Sequence, residues 1–239
     1  MRDVIVIGAG VIGSFIARNL SRYKLDTLVI ERETDVGNVT SMANSAVVHS
    51  GYDPVPGTKK AIFNVKGNKM MKEVSEDLDV EFEMCGTMTV ALEDRQLPML
   101  EILLERAREN GVPAKILSAT EALELEPNLN KDVKAVLFCP TGGIINPFTL
   151  TSHAMENAID NGVTLHLSEE VLSISPKEGG FEVKTDKETY QTKVVINAAG
   201  LGSDKVASMI EPINWSLKPR KGQYFVFAPF DRQSPGRKF

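Results

Sequence analysis

The start of the chain carries three hydrophobic rhythms in succession. Val4 to Ile7 is an unbroken run of β-branched apolar residues, which predicts a short strand covered on both faces. Val11, Phe15 and Leu20 follow at roughly helical spacing and predict a helix. Thr27 to Ile30 is a second apolar run, hence a second strand, and Glu31 stands at its carboxyl end. Periodicity then lapses. Residues 32 to 57 are rich in Gly, Ser, Asn and Pro and predict a long polar loop, costly to order unless it lines a site.

Beyond the loop, Ile62, Val65, Met70 with Met71, Val74 and Leu78 recur at helical spacing. They predict an amphipathic helix over 58–78 with these residues packed inward, the methionines in a core or against a cofactor. Residues 81–92 read as strand, turn at Cys85-Gly86, strand. A helix over 95–110 stops at Gly111, and a shorter one opens at Ser118 with Glu121 completing a capping box. Ala135 to Cys139 is a strand followed by a turn through residues 140–143. Pro147 to Asn161 is a helix with Phe148, Leu150, Ala154 and Ala158 inward. The strand 163–167 comes next, then a meander over 170–176, 180–185 and 189–192, then a buried run over 193–197 and a helix over 202–209. A last strand is expected over 217–227.

Strands alternating with helices make this an α/β protein, and the order implies an interrupted domain. Residues 1–78 and 145–210 form a nucleotide domain with a mostly parallel sheet and a β-meander; 79–144 and 211–239 form part of an antiparallel second domain. That second sheet is unfinished at Phe239, which implies a truncated protein or a fragment. The chain has 239 residues, 42% of them hydrophobic, enough for a real core. A net charge of −5 with scattered Lys and Arg gives no footprint for nucleic acid. No apolar run has the length of a transmembrane span, and the first run is too short for a signal peptide. Cys85 and Cys139 lie far apart with no CxxC pairing, so no metal cage or redox pair is expected, and a reduced, cytoplasmic setting is the simplest reading.

The chemistry begins where the first strand meets its helix. Gly8 allows a sharp turn off the strand, Gly10 lets backbone approach a pyrophosphate, and Gly13 lets helix and sheet pack closely. The helix N-terminus points its free N–H groups at an anion over the loop. Glu31 can accept the hydroxyls of an adenosine ribose and would repel a 2'-phosphate. Strand, glycine turn, helix, strand and acid in this order predict a dinucleotide site, for NAD or FAD alike.

With VIVIGAGVIGSFIA, TSMANSAVVHSGYD and VVINAAGLGSD in order, the sequence resembles the D-amino-acid-oxidase-like superfamily of FAD-dependent oxidoreductases, and within it the glycerol-3-phosphate and L-2-hydroxyglutarate dehydrogenases. The segment CPTGGIINPFTLT is similar to a further stretch of that family, whose C-terminal half has no counterpart here. The resemblance implies a Rossmann-like FAD-binding domain interrupted by an antiparallel substrate domain. It implies that Gly8, Gly10 and Gly13 hold the pyrophosphate, and Glu31 with Arg32 the adenosine end. Thr40, Ser41, Asn44 and Ser45 would run past the pyrophosphate to the flavin ring. Val171 would offer its backbone to adenine, and Ala199 and Gly200 would close over the nucleotide. His49 matches a family histidine and would take a hydroxyl proton while hydride leaves for flavin N5; a histidine bonded within an ordered loop is the alternative. Ala46 stands where the family has glycine. Lys221 would pair with an anionic substrate, while His153 and His166 have weaker claims. The expected activity is oxidation of glycerol 3-phosphate or a 2-hydroxy acid, with an unspecified electron acceptor. An amine or amino-acid oxidase of the same fold, an inactive FAD-binding fragment and a plain NAD dehydrogenase are the competing readings.

Overall fold

In the computed structural model, which describes residues 1–223, the two opening apolar runs lie side by side as parallel strands, Val4 opposite Thr27 and Ile7 opposite Ile30. In chain order the first elements are β1 (Arg2–Ile7), α1 (Val11–Leu20), β2 (Thr27–Ile30), β3 (Val47–Val48), α2 (Lys59–Asp77), β4 (Phe82–Glu83), β5 (Thr87–Ala91) and α3 (Leu97–Glu109). Then come β6 (Lys115–Ser118), α4 (Ala119–Leu125), β7 (Ala135–Cys139), β8 (Gly143–Ile145), α5 (Pro147–Asp160) and β9 (Thr164–His166). The chain continues through β10 (Val171–Lys177), β11 (Gly180–Thr185), β12 (Thr189–Asn197) and α6 (Ser203–Ser208). They form two compact units: Met1–Ser45 with Leu78–Val80 and Asn146–Gly222, and, among the described residues, Ala46–Asp77 with Glu81–Ile145 and Gln223.

The first unit holds a six-stranded sheet ordered β10-β11-β12-β1-β2-β9. The four strands from β12 to β9 pair in parallel, while β10, β11 and β12 make the expected antiparallel meander. Both faces of the central strands are covered. Val4, Val6 and Val29 pack with Ala9 and with Ala17, Met155 and Ala158 of α1 and α5; Ile5, Ile7, Leu28 and Ile30 pack with Val171, Ile174, Val183 and Val206. Each such side chain withdrawn from water contributes about 1.5–3 kcal/mol, and double coverage explains why these strands read as unbroken apolar runs.

Sequence and structure differ at several points in this unit. The expected strands 189–192 and 193–197 are a single strand: β12 pairs antiparallel with β11 through its first half and parallel with β1 through its second. Its second half is less buried than its apolar residues imply, with Val194 46% exposed. Phe148 sits in the first turn of α5 and faces outward, while Leu150, Ala154 and Ala158 are buried as expected. Residues 215–223 adopt no strand; the rest of the strand expected over 217–227 lies outside the described residues.

The second unit contains two three-stranded antiparallel sheets, β3-β8-β4 and β5-β7-β6. β4 and β5 are the strands expected on either side of Cys85-Gly86, but they join different sheets. Gly86 sits at φ +79°, where a Cβ would fall 2.6 Å from the Phe138 ring. The turn expected over 140–143 runs directly into β8, a strand that sequence periodicity is too short to reveal. Ser118 caps α4, and Glu121 returns the hydrogen bond, as its capping box requires. Cys139 is fully buried on β7, and burial pushes its thiol up; Cys85 is also free.

The helix α2 forms where expected, and its inward side is the expected one only in part. Ile62 and Met70 are exposed, Val65, Met71 and Val74 are half-buried and Leu78 is buried, while Ala61, Asn68 and Ser75 complete the inward side. Asn68 explains the choice: its amide donates to the carbonyls of His49 at 3.2 Å and Thr141 at 2.7 Å, fixing which side of the helix faces in. Those partners belong to the second unit, so α2 packs there. The compact units therefore part at Ser45 rather than at the expected residue 78.

Candidate functional site

At the carboxyl end of β1 the backbone must reverse within three residues, and only glycine fits. Gly8 has φ +100°, and a Cβ there would lie 2.6 Å from the Ala198 carbonyl oxygen. A Cβ on Gly13 would lie 1.9 Å from the Gly8 carbonyl oxygen, so α1 approaches the turn more closely than any side chain permits. Gly10 is the N-cap of α1 in an extended conformation, with no side chain to cap the helix and no acidic residue in its first turn. The Ser41 hydroxyl accepts the Val11 N–H at 2.9 Å. This arrangement is a glycine cradle at the positive end of a helix dipole, suited to an anion.

Glu31 stands across from the cradle with both carboxylate oxygens engaged. Oε2 accepts the Ala9 N–H at 2.6 Å and Oε1 the Glu33 N–H at 2.9 Å. Each oxygen carries a further lone pair, which leaves capacity for two hydroxyl donors. The carboxylate therefore fixes the glycine turn and can still accept a ribose.

A cleft of about 190 Å³ gathers these parts, all within the first unit. Gly8, Gly10, Glu31, Arg32, Thr40, Ser41, Val171, Ala199 and Gly200 line it. Gly13 lies beneath the turn. Asn44 does not line the cleft; its amide donates to the Ser41 carbonyl at 2.8 Å and folds the loop back on itself. Ser45 is exposed at the end of the first unit. His49 lies in the second unit, exposed after β3, and its imidazole has no hydrogen-bond partner among the described residues. Lys221 is exposed in irregular chain and does not line the cleft. His153 holds the Leu78 carbonyl through Nδ1 at 2.6 Å, a structural tie.

Sequence reading missed Lys205 and Met209, which α6 brings to the cleft, and it missed Glu169. Glu169 is 3% exposed and carries a carboxylate bonded on both oxygens. Burial alone would push this carboxyl up, but hydrogen bonds from Thr185, Tyr190 and His166 outweigh it and hold it below the usual carboxylate range. Burial and the same carboxylate push the Tyr190 phenol well up. The pair of acids in SEEV was the available signal, but nothing in that pattern says which one turns inward.

The cradle, the helix N-terminus behind it and the acceptor capacity of Glu31 fit the pyrophosphate and ribose of a dinucleotide. Comparison with known proteins agrees. A family model described as FAD dependent oxidoreductase matches residues 3–238. A glycerol 3-phosphate dehydrogenase of Caloramator mitchellensis is 46% identical over 227 residues, covering 95% of this chain and 47% of its own length. An L-2-hydroxyglutarate dehydrogenase of Escherichia coli is 29% identical, covering 98% of this chain and 56% of its own. The solved L-alpha-glycerophosphate oxidase of Mycoplasma pneumoniae, with FAD bound, superposes with a TM-score of 0.86 at 31% identity, covering 90% of this chain and 58% of that one. The chain spans about half the length of the curated relatives it matches. Among the described residues no helix is long and apolar enough to cross a membrane.

Proposed function

The chain belongs to the FAD-dependent oxidoreductase family, and from that premise we propose that it is the FAD-binding part of an enzyme oxidising a small anionic hydroxylated substrate, glycerol 3-phosphate or a 2-hydroxy acid. The observation that carries the cofactor reading is the glycine cradle facing an acid already bonded to it, Glu31 to Ala9 N–H at 2.6 Å. The substrate class is supported by the 46% identity to a glycerol 3-phosphate dehydrogenase.

FAD, when bound, supplies a two-electron acceptor for hydride. Gly8, Gly10 and the first turn of α1 would hold its pyrophosphate, and Glu31 the ribose hydroxyls. Arg32 would flank the adenosine end, the Val171 backbone would meet adenine, and Ala199 with Gly200 would close the cleft. Thr40, Ser41, Asn44 and Ser45 would guide the loop toward the ring. The His49 imidazole would accept the substrate hydroxyl proton, a role its ring nitrogens can serve as a general base. Lys221 would meet the substrate anion. The first unit would serve the nucleotide, and the second the substrate.

The test is to purify the chain, add FAD, and follow the visible flavin absorption anaerobically after adding glycerol 3-phosphate or 2-hydroxyglutarate. Wild-type chain should retain flavin, and bleaching by either substrate would identify it. His49→Gln should retain flavin but bleach about 10²-fold more slowly. An unchanged bleaching rate in that variant would remove His49 from the reaction, and failure of wild type to retain flavin would overturn the cofactor reading.

A further inference from the structure

Behind the cleft wall lies a cluster that neither the glycine turn nor the polar loop accounts for. The Glu169 carboxylate is buried, its Oε1 accepting the Thr185 hydroxyl at 2.7 Å and the Tyr190 hydroxyl at 2.8 Å. His166 Nδ1 lies 3.0 Å from Glu169 Oε2 and 3.1 Å from the Tyr190 oxygen, with the two rings edge to face. Replacing a buried charged group by a well-packed apolar side chain is often neutral or stabilising, so stability alone does not account for a carboxylate here. Here they hold a backbone segment. The Glu169 N–H donates to the Glu31 carbonyl at 2.9 Å, the Glu31 N–H donates to the His166 carbonyl at 2.9 Å, and the Ser168 N–H donates to the Glu33 carbonyl at 2.8 Å. Ser168 turns the chain at φ +53°, outside the ordinary range for a side-chain-bearing residue.

Residues 166–171 are thus fastened to the chain on both sides of Glu31. The carboxylate of Glu31 in turn grips the glycine turn, and Glu31, Glu169, Glu170 and Val171 share the wall of the cleft. We propose that Glu169 is a positioning residue for the adenosine half of the dinucleotide: anchored by Thr185, Tyr190 and His166, it fixes the 166–171 turn against Glu31 and so sets the edge that receives ribose and adenine. This rests on the cleft being the FAD site. It acts through backbone and through Glu31, not through contact with the reacting atoms.

The experiment titrates the purified 239-residue chain with FAD and, separately, with ADP, which carries only the adenosine half, and records the melting temperature of each ligand-free variant. Glu169→Leu should weaken FAD and ADP by the same factor, about tenfold or more. Glu169→Gln should recover most of the loss, because its amide oxygen still accepts from Thr185 and Tyr190. Tyr190→Phe, which removes one of the hydrogen bonds to the carboxylate and with it some stability, should weaken both ligands about threefold when titrated well below its melting temperature, and it decides the matter if Glu169→Leu does not fold. Wild-type ADP affinity in Glu169→Leu, or in Tyr190→Phe where that variant decides, overturns the proposal. So does a loss in Glu169→Gln as large as in Glu169→Leu, accompanied by a matching drop in melting temperature. Wild-type chain that binds neither FAD nor ADP overturns the underlying reading instead, a result distinct from both.

Discussion

The Glu31 carboxylate holds the glycine turn and is proposed to meet the ribose, and only the second of these was legible in the sequence. Its place at the end of the second strand pointed to a ribose, since an acid there is positioned by the strand itself. Its grip on the Ala9 and Glu33 N–H groups was not legible, because which backbone donors converge on a side chain depends on the path of two separate turns. Hydrogen bonds to a charged acceptor contribute about 1.5–3 kcal/mol each. Glu31→Ala should therefore weaken FAD binding by about 10- to 100-fold or more, since roughly 1.4 kcal/mol corresponds to tenfold. Glu31→Gln should fall between Ala and wild type: it keeps one acceptor but turns an NH2 group toward the other backbone N–H. Titration of flavin fluorescence reads both, and an Ala variant within about threefold of wild type would mean that the carboxylate neither holds the turn nor meets the ligand.

Most elements formed where hydrophobic rhythm and caps placed them, because strands covered on both faces and helices with Ser118 or Asn146 at the N-cap write their ends locally. Part of the inward face of α2 escaped the same reasoning. Its buried positions, Ala61, Asn68 and Ser75, are small or polar, and a pattern that counts only large apolar residues passes over them. Two-residue strands such as β3 escaped as well, being shorter than any period. Close helix packing at the glycine turn yields a sharper test. In Gly13→Ala the new methyl would meet the Gly8 carbonyl oxygen at 1.9 Å, and neither partner is a movable side chain. The helix must shift, at a cost of about 3 kcal/mol or more, with loss of the cradle. Gly67→Ala in α2 is the control, since nothing lies within 4 Å of its Cβ and its φ is ordinary. It should stabilise the chain by about 0.5–1 kcal/mol by removing backbone freedom from the unfolded state. Urea unfolding of the two variants should shift in opposite directions; a shift in the same direction would contradict the packing described for α1.

At the scale of the whole chain, an interrupted order was readable because the first nucleotide strands and the later NAAG turn flank an excursion with a different rhythm. Where the units part was not readable, since Asn68 commits α2 through carbonyls distant in sequence. The division carries a functional consequence. Every residue lining the cleft lies in the first unit, while Leu137, fully buried with Leu100 and Leu103, belongs to the core of the second. Leu137→Ala should cost about 2–5 kcal/mol through lost burial and a cavity that only partly collapses. The Leu137 cluster contains no residue that lines the cleft, so ADP affinity measured below the unfolding temperature should stay within about twofold of wild type. Ile30→Ala removes a fully buried side chain that itself lines the cleft, and it should lower stability and ADP affinity together. Calorimetric titration alongside thermal melts separates the two cases. If Leu137→Ala lost ADP affinity in step with its stability, the cleft would depend on the integrity of both cores, and the first unit could not be treated as the nucleotide-binding element by itself.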